Sequence, residues 1–292
     1  MYNIGILSVK KASAYTVSVG NITVGGTGKT SMVKKIAHDI NSPLAILVRG
    51  YRAKNKKARL VTSPEDGDEA FFLSNRVPFA NVFVGKNRTC HLDNAMKMGA
   101  KYFLLDDGMQ YRRLARDLEI VMIDGKDPFG GGHLLPRGRL RELPSRLKVA
   151  NYIGIHAAEN FEVVKKELEN RTKAKIFGTE YRAVNAEKWR GKKVGAFCGI
   201  GNPEGFFGIL AQLGCYMVKS LQLKDHEPLR RPEKFVARCK QLGAEVVLCT
   251  EKDYVKLSFV EGIEPLQVSL DIVRCKENYL EMVNEITLGK SV

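Results

Sequence analysis

The stretch Val17–Thr30 reads Val-Ser-Val-Gly-Asn-Ile-Thr-Val-Gly-Gly-Thr-Gly-Lys-Thr, and it decides the fold. A short β-branched run leads into a glycine-rich turn. The following segment places apolar residues on one helix face, namely Met32, Val33, Ile36, Ala37 and Ile40. Glycines let successive backbone N–H groups point at one centre, and the helix N-terminus adds partial positive charge. The stretch therefore predicts a loop that binds phosphate groups.

Gly28-Lys29-Thr30 carries the chemistry expected of a nucleotide site. The lysine reaches the β- and γ-phosphates, and the threonine hydroxyl can hold Mg²⁺, so ATP and Mg²⁺ are the expected cofactors. The loop that would cradle the phosphates comprises Thr23, Val24, Gly25, Gly26, Thr27 and Gly28. Thr23 stands where the usual pattern has its first glycine, and Gly25-Gly26 supply flexibility instead. The alternative is a glycine-rich turn with a chance Lys-Thr.

The charge balance points to an anionic partner. The chain has 47 basic and 32 acidic residues among 292, a net charge of +15. Such a field favours nucleic acid, an anionic membrane face or a phosphorylated substrate. Aromatic and basic residues lack the spacing of a recognition motif, so nucleic acid is not expected as a partner.

Hydropathy and cysteine spacing exclude other classes. No apolar run approaches the ~20 residues that a bilayer-spanning helix needs, and no signal peptide is recognisable, so a cytoplasmic protein is expected. The six cysteines are scattered without C-x-x-C spacing, which argues against a zinc site or a disulfide framework.

Strands alternate with helices after the phosphate loop, which predicts an α/β fold with a parallel sheet and helices on both faces. Tyr102–Asp107 reads as a central strand that ends in two aspartates. In a phosphate-loop fold an aspartate at that position holds magnesium, whereas the alternative is an Asx-turn. The periodicity is lost near residues 179–192, which predicts a linker between a core domain (1–178) and a smaller α/β domain (193–292).

Several polar stretches have two interpretations. Asp68 and Glu69 open a predicted helix, and capping alone is a sufficient reason for acidic residues there. The basic run 52–59 is either a solvated loop or a lid near an anionic ligand. The glycine-rich, basic stretch 129–142 is a predicted loop, and its arginines are candidates for anion contacts. From the sequence alone, His226 reads as a histidine in a surface loop; His133 and His156 are expected to be structural.

The motifs together resemble one family, the tetraacyldisaccharide 4'-kinases, which are the lipid A 4'-kinases of Gram-negative bacteria. The matching stretches lie in the family's order from about residue 14 onwards: Ser18–Thr30, Arg49–Tyr51, Gly67–Glu69, Leu104–Gln110, Arg113–Asp117, Leu134–Pro136, Leu140–Glu142, Gly199–Pro203, Asp225-His226 and Thr250–Asp253. Departures are Met109 and Tyr111, where the family more often has Phe and His, and Lys224 in place of proline.

The resemblance implies transfer of phosphate from ATP to the 4'-hydroxyl of the tetraacyl disaccharide 1-phosphate precursor of lipid A. It implies a P-loop NTPase-like domain and a smaller α/β domain joined by a short β linker. The site would lie between the domains, and the protein would sit on the cytoplasmic face of the inner membrane as a peripheral protein. The basic charge suits both the anionic glycolipid and the membrane.

Residue roles follow from the same resemblance. Lys29 would hold the β/γ-phosphates, and Asp68 would act as general base, oriented by His226. Thr30, Asp106 and Glu142 would form the metal environment. The remaining implied site residues are Arg141 and Gln110 at the nucleotide, Glu69 and Asp107 as supporting carboxylates, and Arg88 toward the lipid's phosphate.

Two other functions fit parts of the pattern. A P-loop NTPase that acts as a switch or assembly factor would share the phosphate loop but would need no acceptor hydroxyl and hence no carboxylate–histidine pair. A non-catalytic nucleic-acid-binding protein is suggested by the net charge alone.

Overall fold

Strands and helices alternate along most of the chain in this computed structural model, which describes residues 9–50, 58–225, 227–257 and 260–289. The strands are β1 (Tyr15–Gly20), β2 (Leu44–Val48), β3 (Arg59–Leu60), β4 (Ala80–Val84), β5 (Tyr102–Asp106), β6 (Leu118–Asp124), β7 (Tyr152–His156), β8 (Lys175–Ala183), β9 (Lys193–Cys198), β10 (Tyr216–Gln222), β11 (Val246–Thr250), β12 (Ile263–Leu266) and β13 (Val268–Arg274).

The α-helices are α1 (Lys29–Ile40), α2 (Asp68–Arg76), α3 (Leu92–Lys97), α4 (Phe161–Glu169), α5 (Ala186–Trp189), α6 (Pro203–Gln212), α7 (Pro232–Gln241), α8 (Glu251–Tyr254) and α9 (Lys276–Leu288). None of them, within the described ranges, has both the length and the apolar composition needed to cross a membrane. Short 3₁₀ turns occupy Pro64–Asp66, Arg88–His91, Gly130–Gly132 and Pro144–Val149.

A nine-stranded sheet has the order β13-β8-β7-β6-β1-β5-β2-β4-β3. The pairs from β8 through to β4 are parallel, and β3 pairs with β4 in the antiparallel sense. Val17 of β1 lies opposite Leu104 of β5 on one side and Leu118 of β6 on the other. Strands buried on both faces read as continuous apolar runs, as β2 and β5 do. The predicted α/β fold is confirmed.

Helix α1 begins directly after the glycine-rich turn and packs against the sheet. Its buried side chains include all the residues of the predicted apolar face. Gly28 caps the N-terminus in the left-handed conformation, with φ of 83°. The order of strand, glycine turn and helix therefore matches the order predicted from Val17–Thr30.

A second, four-stranded parallel sheet has the order β10-β9-β11-β12. Its core has a cluster on each side of β9. Trp189, Val194, Phe206 and Leu210 belong to one cluster, and Phe197, Phe235 and Cys249 to the other. Alternate residues of a strand point to opposite faces, so Val194 and Phe197 serve different clusters.

The chain divides into two compact units that differ from the predicted boundaries. One unit comprises Met1–Glu180 with Leu270–Val292, and the other comprises Tyr181–Ser269. Helix α9 was predicted for the smaller domain, yet it belongs to the first unit. The Tyr279 hydroxyl donates to Asp39 Oδ2 at 2.5 Å, and the Tyr152 hydroxyl donates to Glu285 Oε2 at 2.9 Å.

The predicted linker, residues 179–192, also differs from the structure. Strand β8 continues through it to Ala183, and the short helix α5 follows. Trp189 at the end of α5 is buried in the core of the second unit. The predicted linker is therefore a strand only as far as Ala183, and α5, which follows, packs as part of the second unit.

Candidate active site

The phosphate loop presents its tip to solvent and buries its two ends. Val24, Gly25 and Gly26 are exposed, whereas Thr27 and Gly28 are buried. Gly25 has φ of 123°, and its carbonyl accepts from the Thr27 N–H at 3.1 Å. Because left-handed backbone favours glycine, these positions let the loop curl at the start of α1.

Thr23 stands where phosphate loops usually have their first glycine, and its backbone is paired with another segment of the chain. Thr23 and Leu140 form an isolated antiparallel β-bridge, an extended conformation that suits a β-branched residue. The Val24 N–H donates to the Arg139 carbonyl at 2.8 Å, and the Arg141 N–H donates to the Ile22 carbonyl at 2.7 Å. The basic loop 129–142 therefore lies along the phosphate loop and fixes its entry.

Thr30 and Asp106 meet at the carboxyl edge of the sheet. Thr30 is in the first turn of α1, Asp106 ends β5, and the Thr30 hydroxyl donates to Asp106 Oδ2 at 3.0 Å. Both side chains are buried. A hydroxyl and a carboxylate are hard oxygen donors of the kind that Mg²⁺ prefers, and Mg²⁺ commonly binds through one or two carboxylates, waters and substrate phosphates. The pair therefore fits the predicted metal.

Asp107 is the point on which the cationic side chains converge. Arg141 Nη1 and Nη2 donate to its two oxygens at 2.7 and 3.0 Å, and Lys29 Nζ lies 3.7 Å from Oδ1. Burial raises the pKa of Asp107, but the Arg141 hydrogen bonds and the charges of Lys29, Arg141 and Arg88 outweigh it and lower the pKa to about 2. Asp107 is thus an anion that orients two cations beside the phosphate loop.

Arg88 lies inside the protein, contrary to its expected contact with a lipid phosphate. Its side chain is only 1% exposed, and Nη2 donates to the Asp107 carbonyl at 3.2 Å. The guanidinium lies over the Tyr111 ring, 5.2 Å from its centroid, and the Tyr111 hydroxyl accepts from the Arg88 N–H at 2.9 Å. Burial lowers the pKa of Arg88 to about 10, against the raising effect of Asp107 and Asp106. Arg88 supports the acidic loop from within.

Glu142 is engaged by two arginines. Arg112 Nη2 donates to Glu142 Oε2 at 3.2 Å, and Arg146 Nε lies 3.4 Å from the same oxygen. These side chains line an open cavity of about 390 Å³, together with Arg141, Leu134, Leu143, Ser145 and Val149. Among the described residues no three His, Cys, Asp or Glu side chains are grouped so as to hold a metal by themselves.

Asn21 is a site residue that sequence reasoning missed. It is fully buried, its Oδ1 accepts from Arg141 Nη1 at 3.1 Å, and its Nδ2 donates to the Thr27 hydroxyl at 3.2 Å. The Asn21 carbonyl accepts from Gln110 Nε2 at 3.0 Å, so Gln110 acts here on the loop backbone. The sequence feature that could have indicated this role is the position of Asn21, a polar amide directly after the buried strand β1.

Asp68 and Glu69 lie half-buried in the first turn of α2, where the helix dipole favours carboxylates. Because α2 leads into the parallel strand β4, its N-terminus is directed to the same sheet edge as that of α1. Lys34 of α1 lies over the Phe72 ring of α2, 5.6 Å from its centroid, so the two helices are neighbours.

Asp66 anchors the entry to α2. It is buried and accepts from Thr62 N–H at 2.8 Å, Ser63 N–H at 3.1 Å and Arg59 Nε at 2.6 Å. His226, Tyr51 and most of the basic run 52–59 lie outside the described residues. His156 is buried against the Thr179 hydroxyl at 3.1 Å, in line with its predicted structural role.

Asp253 organises the polar turns of the second unit. Its Oδ2 accepts from the Gly199 N–H at 2.9 Å and the Thr250 hydroxyl at 2.7 Å, and its Oδ1 accepts from Lys256 Nζ at 3.0 Å. A Cβ on Gly199 would lie 2.9 Å from the Glu227 carbonyl oxygen and 3.3 Å from that of Lys224. The Gly199 turn therefore packs against the backbone that flanks position 226.

Comparisons with known proteins give one result. A sequence model of the family described as LpxK, tetraacyldisaccharide-1-P 4'-kinase, matches residues 1–285. The tetraacyldisaccharide 4'-kinase of Chlamydia trachomatis serovar D is 36% identical over 274 residues, with 86% of this chain and 74% of that protein covered. That of Syntrophus aciditrophicus is also 36% identical, with 85% and 76% covered.

A solved structure is similar over nearly the whole chain. The crystal structure of LpxK from Aquifex aeolicus in complex with ATP has a TM-score of 0.75 to this chain at 27% sequence identity. The similarity covers 98% of this chain and 92% of that one.

Proposed function

The chain belongs to the tetraacyldisaccharide-1-P 4'-kinase family, and on that premise we propose how its side chains carry out the reaction. It is an ATP-dependent lipid kinase that phosphorylates the 4'-hydroxyl of the tetraacyl disaccharide 1-phosphate in lipid A biosynthesis. The observation that supports the residue roles is the convergence of Lys29 and Arg141 on Asp107, beside the Thr30–Asp106 pair.

Phosphoryl transfer needs charge neutralisation and alignment more than covalent chemistry. We propose that the backbone amides of the exposed loop tip and Lys29 bind the β- and γ-phosphates. Arg141, held by Asp107 and Asn21, faces the same loop and would neutralise charge that develops on the transferred group. Asn21 and Gln110 would keep the loop in the conformation that binds the nucleotide.

Thr30 and Asp106 would hold Mg²⁺. When bound, the ion supplies charge neutralisation at the phosphate oxygens of ATP. Asp107 would orient Arg141 and Lys29 rather than hold the metal, because its carboxylate already pairs with both of them. A direct metal role for Glu142 stays a prediction, since Arg112 and Arg146 engage it here.

Asp68 would take the proton of the acceptor hydroxyl as that hydroxyl attacks. A carboxylate in the first turn of α2, at the same sheet edge as the phosphate loop, is suitably placed for general-base work. His226 would orient Asp68, and Glu69 would support it. The acceptor is what separates this mechanism from that of a nucleotide-hydrolysing switch, because a switch needs no base for a sugar hydroxyl.

Label transfer tests this assignment. The protein is incubated with γ-labelled ATP, Mg²⁺ and the tetraacyl disaccharide 1-phosphate in detergent. We expect Asp68→Asn and His226→Ala each to lower the rate about 10²–10⁴-fold if they provide the base. Glu65→Gln, which changes an exposed carboxylate just before α2, is the matched control. Undiminished transfer in Asp68→Asn would exclude it as the base.

We also propose that the protein contacts an anionic bilayer, from which it would take its lipid. Exposed leucines accompany basic side chains along residues 134–149: Leu135 is 52% and Leu143 is 57% exposed, and Arg137 and Lys148 are exposed beside them. Apolar side chains that insert among headgroups, together with cations that attract anionic lipid, are typical of peripheral membrane surfaces.

Vesicle sedimentation tests the membrane proposal. We expect the double variant Leu135→Ser/Leu143→Ser to bind vesicles of phosphatidylglycerol and phosphatidylethanolamine more weakly than the wild type. Leu280→Ser, at a 60% exposed leucine of α9, is the matched control and should bind as the wild type does. Equal binding by all three proteins would rule out residues 134–149 as the contact surface.

A further inference from the structure

A buried ion pair lies directly behind the acidic loop that follows β5. Arg116 Nη1 lies 3.3 Å from Glu119 Oε2, and both side chains are largely enclosed. The Ser18 hydroxyl of β1 donates to the other oxygen, Oε1, at 2.7 Å. Burial lowers the pKa of Arg116 and raises the pKa of Glu119, and each charge offsets this effect for its partner.

The guanidinium of Arg116 also holds the backbone of the acidic loop. Its Nη2 donates to the Tyr111 carbonyl at 2.7 Å and to the Gly108 carbonyl at 3.4 Å. On the other side of the loop, Arg88 donates to the Asp107 carbonyl. The buried Arg88 and the largely enclosed Arg116 therefore bind three carbonyls within the five residues 107–111.

The loop needs such support because its conformation is strained and closely packed. Asp107 has φ of 52°, a left-handed backbone that costs free energy for a residue with a side chain. Gly108 touches β1 so closely that a Cβ there would lie 2.3 Å from Ser18 Oγ. Strained backbone persists only where surrounding contacts over-determine it. Here Arg88 and Arg141 hold Asp107 itself, and Arg116 and Ser18 hold the residues that follow it.

We propose that Arg116 is a positioning residue for phosphoryl transfer. Anchored by Glu119 and Ser18, it fixes the left-handed turn that presents Asp106 to Thr30, and Asp107 to Lys29 and Arg141. In this role Arg116 acts through the carbonyls of Gly108 and Tyr111 rather than on the reacting groups. This assignment explains why the Arg113–Asp117 motif lies near the site without lining it, and it rests on the proposed function.

Arg116→Lys is the informative variant. It keeps a cation beside Glu119 but removes the planar fork that reaches two carbonyls. Because small displacements at a phosphoryl-transfer site are costly, we expect kcat to fall about 10–100-fold. KM for the lipid should stay within about twofold, since the acceptor's contacts are unchanged. Arg171→Lys, in the half-exposed pair with Glu167, is the matched control and should retain wild-type kinetics.

Calorimetry supplies a readout other than turnover. ADP binding is measured with and without Mg²⁺. In Arg116→Lys we expect metal-free ADP affinity to fall by less than kcat does, because Lys29 and the backbone amides of the phosphate loop remain. The gain in affinity on adding Mg²⁺ should be reduced, because Asp106 is displaced from Thr30. Glu119→Gln, which weakens the anchor, should show a smaller change in the same direction. Ser18→Ala should behave likewise.

Each result decides the proposal. A wild-type kcat and an undiminished Mg²⁺ gain in Arg116→Lys would overturn it. So would a loss of metal-free ADP binding equal to the loss of kcat, which would indicate general damage. If the wild type shows the Mg²⁺ gain but no transfer to the lipid, the proposed function fails, and the calorimetric comparison still tests Arg116.

Discussion

Asp107 shows at the scale of one residue how charge is arranged before any ligand arrives. Its carboxylate lies between Arg141 and Lys29, and the Arg88 guanidinium lies behind its carbonyl. Two cations near a phosphate loop repel each other, and the aspartate holds them in place. The arrangement is preorganised in the sense that little reorientation is needed when a polyphosphate binds.

The depressed pKa of Asp107 predicts a specific pH dependence of stability. The folded pKa is about 2, below the ordinary value for aspartate, so the ion pairs stabilise the fold above about pH 4, and this stabilisation is lost as the pH falls through 2. We expect Asp107→Asn to lose about 2–3 kcal/mol of unfolding free energy at neutral pH.

Urea titration at a series of pH values checks this expectation. The difference in unfolding free energy between the wild type and Asp107→Asn should be constant from pH 7 to 5 and should become smaller below pH 4. A difference that stays constant down to pH 2 would show that the carboxylate charge contributes nothing to stability.

At the scale of elements, the positions of helices and strands could be predicted from the sequence, whereas the contacts between distant loops could not. The helix face Met32–Ile40 and the apolar strand before Asp106 follow from spacing alone, because period and burial are local properties. The alignment of loop 129–142 with the phosphate loop was not predictable. It depends on the Thr23–Leu140 bridge and on Arg141 reaching Asp107 across a long separation in sequence.

The same limit applies to Arg88 and Arg116. Both are arginines in polar stretches, where solvent exposure is the usual expectation. Arg88 is buried and Arg116 nearly so, and each donates to backbone carbonyls of the loop 107–111, whose positions depend on contacts between segments distant in sequence. The family resemblance, now confirmed, supplied candidate roles, but it gave no indication of which side chains act from behind the site.

The polar turns of the second unit depend on one carboxylate. Asp253→Ala would leave the Gly199 N–H, the Thr250 hydroxyl and the Lys256 ammonium without this acceptor. A buried donor left unsatisfied costs about 1–3 kcal/mol, so we expect a marked loss of stability in the second unit. Fluorescence of Trp189, which lies in the core of that unit, reports its unfolding in urea.

Glu187→Ala is the control for this prediction. Its side chain is exposed and pairs with Arg190, and surface changes of this kind usually stay within about 0.5 kcal/mol. If Asp253→Ala shifted the Trp189 transition no further than Glu187→Ala does, the carboxylate would not be what holds the Gly199 turn.

At the scale of the whole molecule, the chain enters the second unit within β8 and returns within β13. The sequence predicted two domains, one after the other along the chain. A pattern of strands and helices does not show that the C-terminal segment rejoins the first unit. Helix α9 pairs with residues far back in the chain: Tyr279 with Asp39, Asn278 with the Ile176 carbonyl, and Glu285 with Tyr152.

The return of the chain makes the stability of the nucleotide-binding unit depend on its C-terminal helix. In Tyr279→Phe the hydrogen bond to Asp39 is lost from a buried position between α9 and α1, while the ring and its packing remain. Hydrogen bonds to charged groups contribute about 1.5–3 kcal/mol, so the unfolding free energy of the first unit should fall by that order. The two unfolding transitions can be told apart with ADP. Because ADP binds only the folded first unit, the transition of that unit is the one that ADP shifts upward. Calorimetric scans with and without ADP should show this transition at a lower temperature in Tyr279→Phe and the transition of the second unit unchanged. A variant that lowered only the ADP-insensitive transition would assign α9 to the second unit.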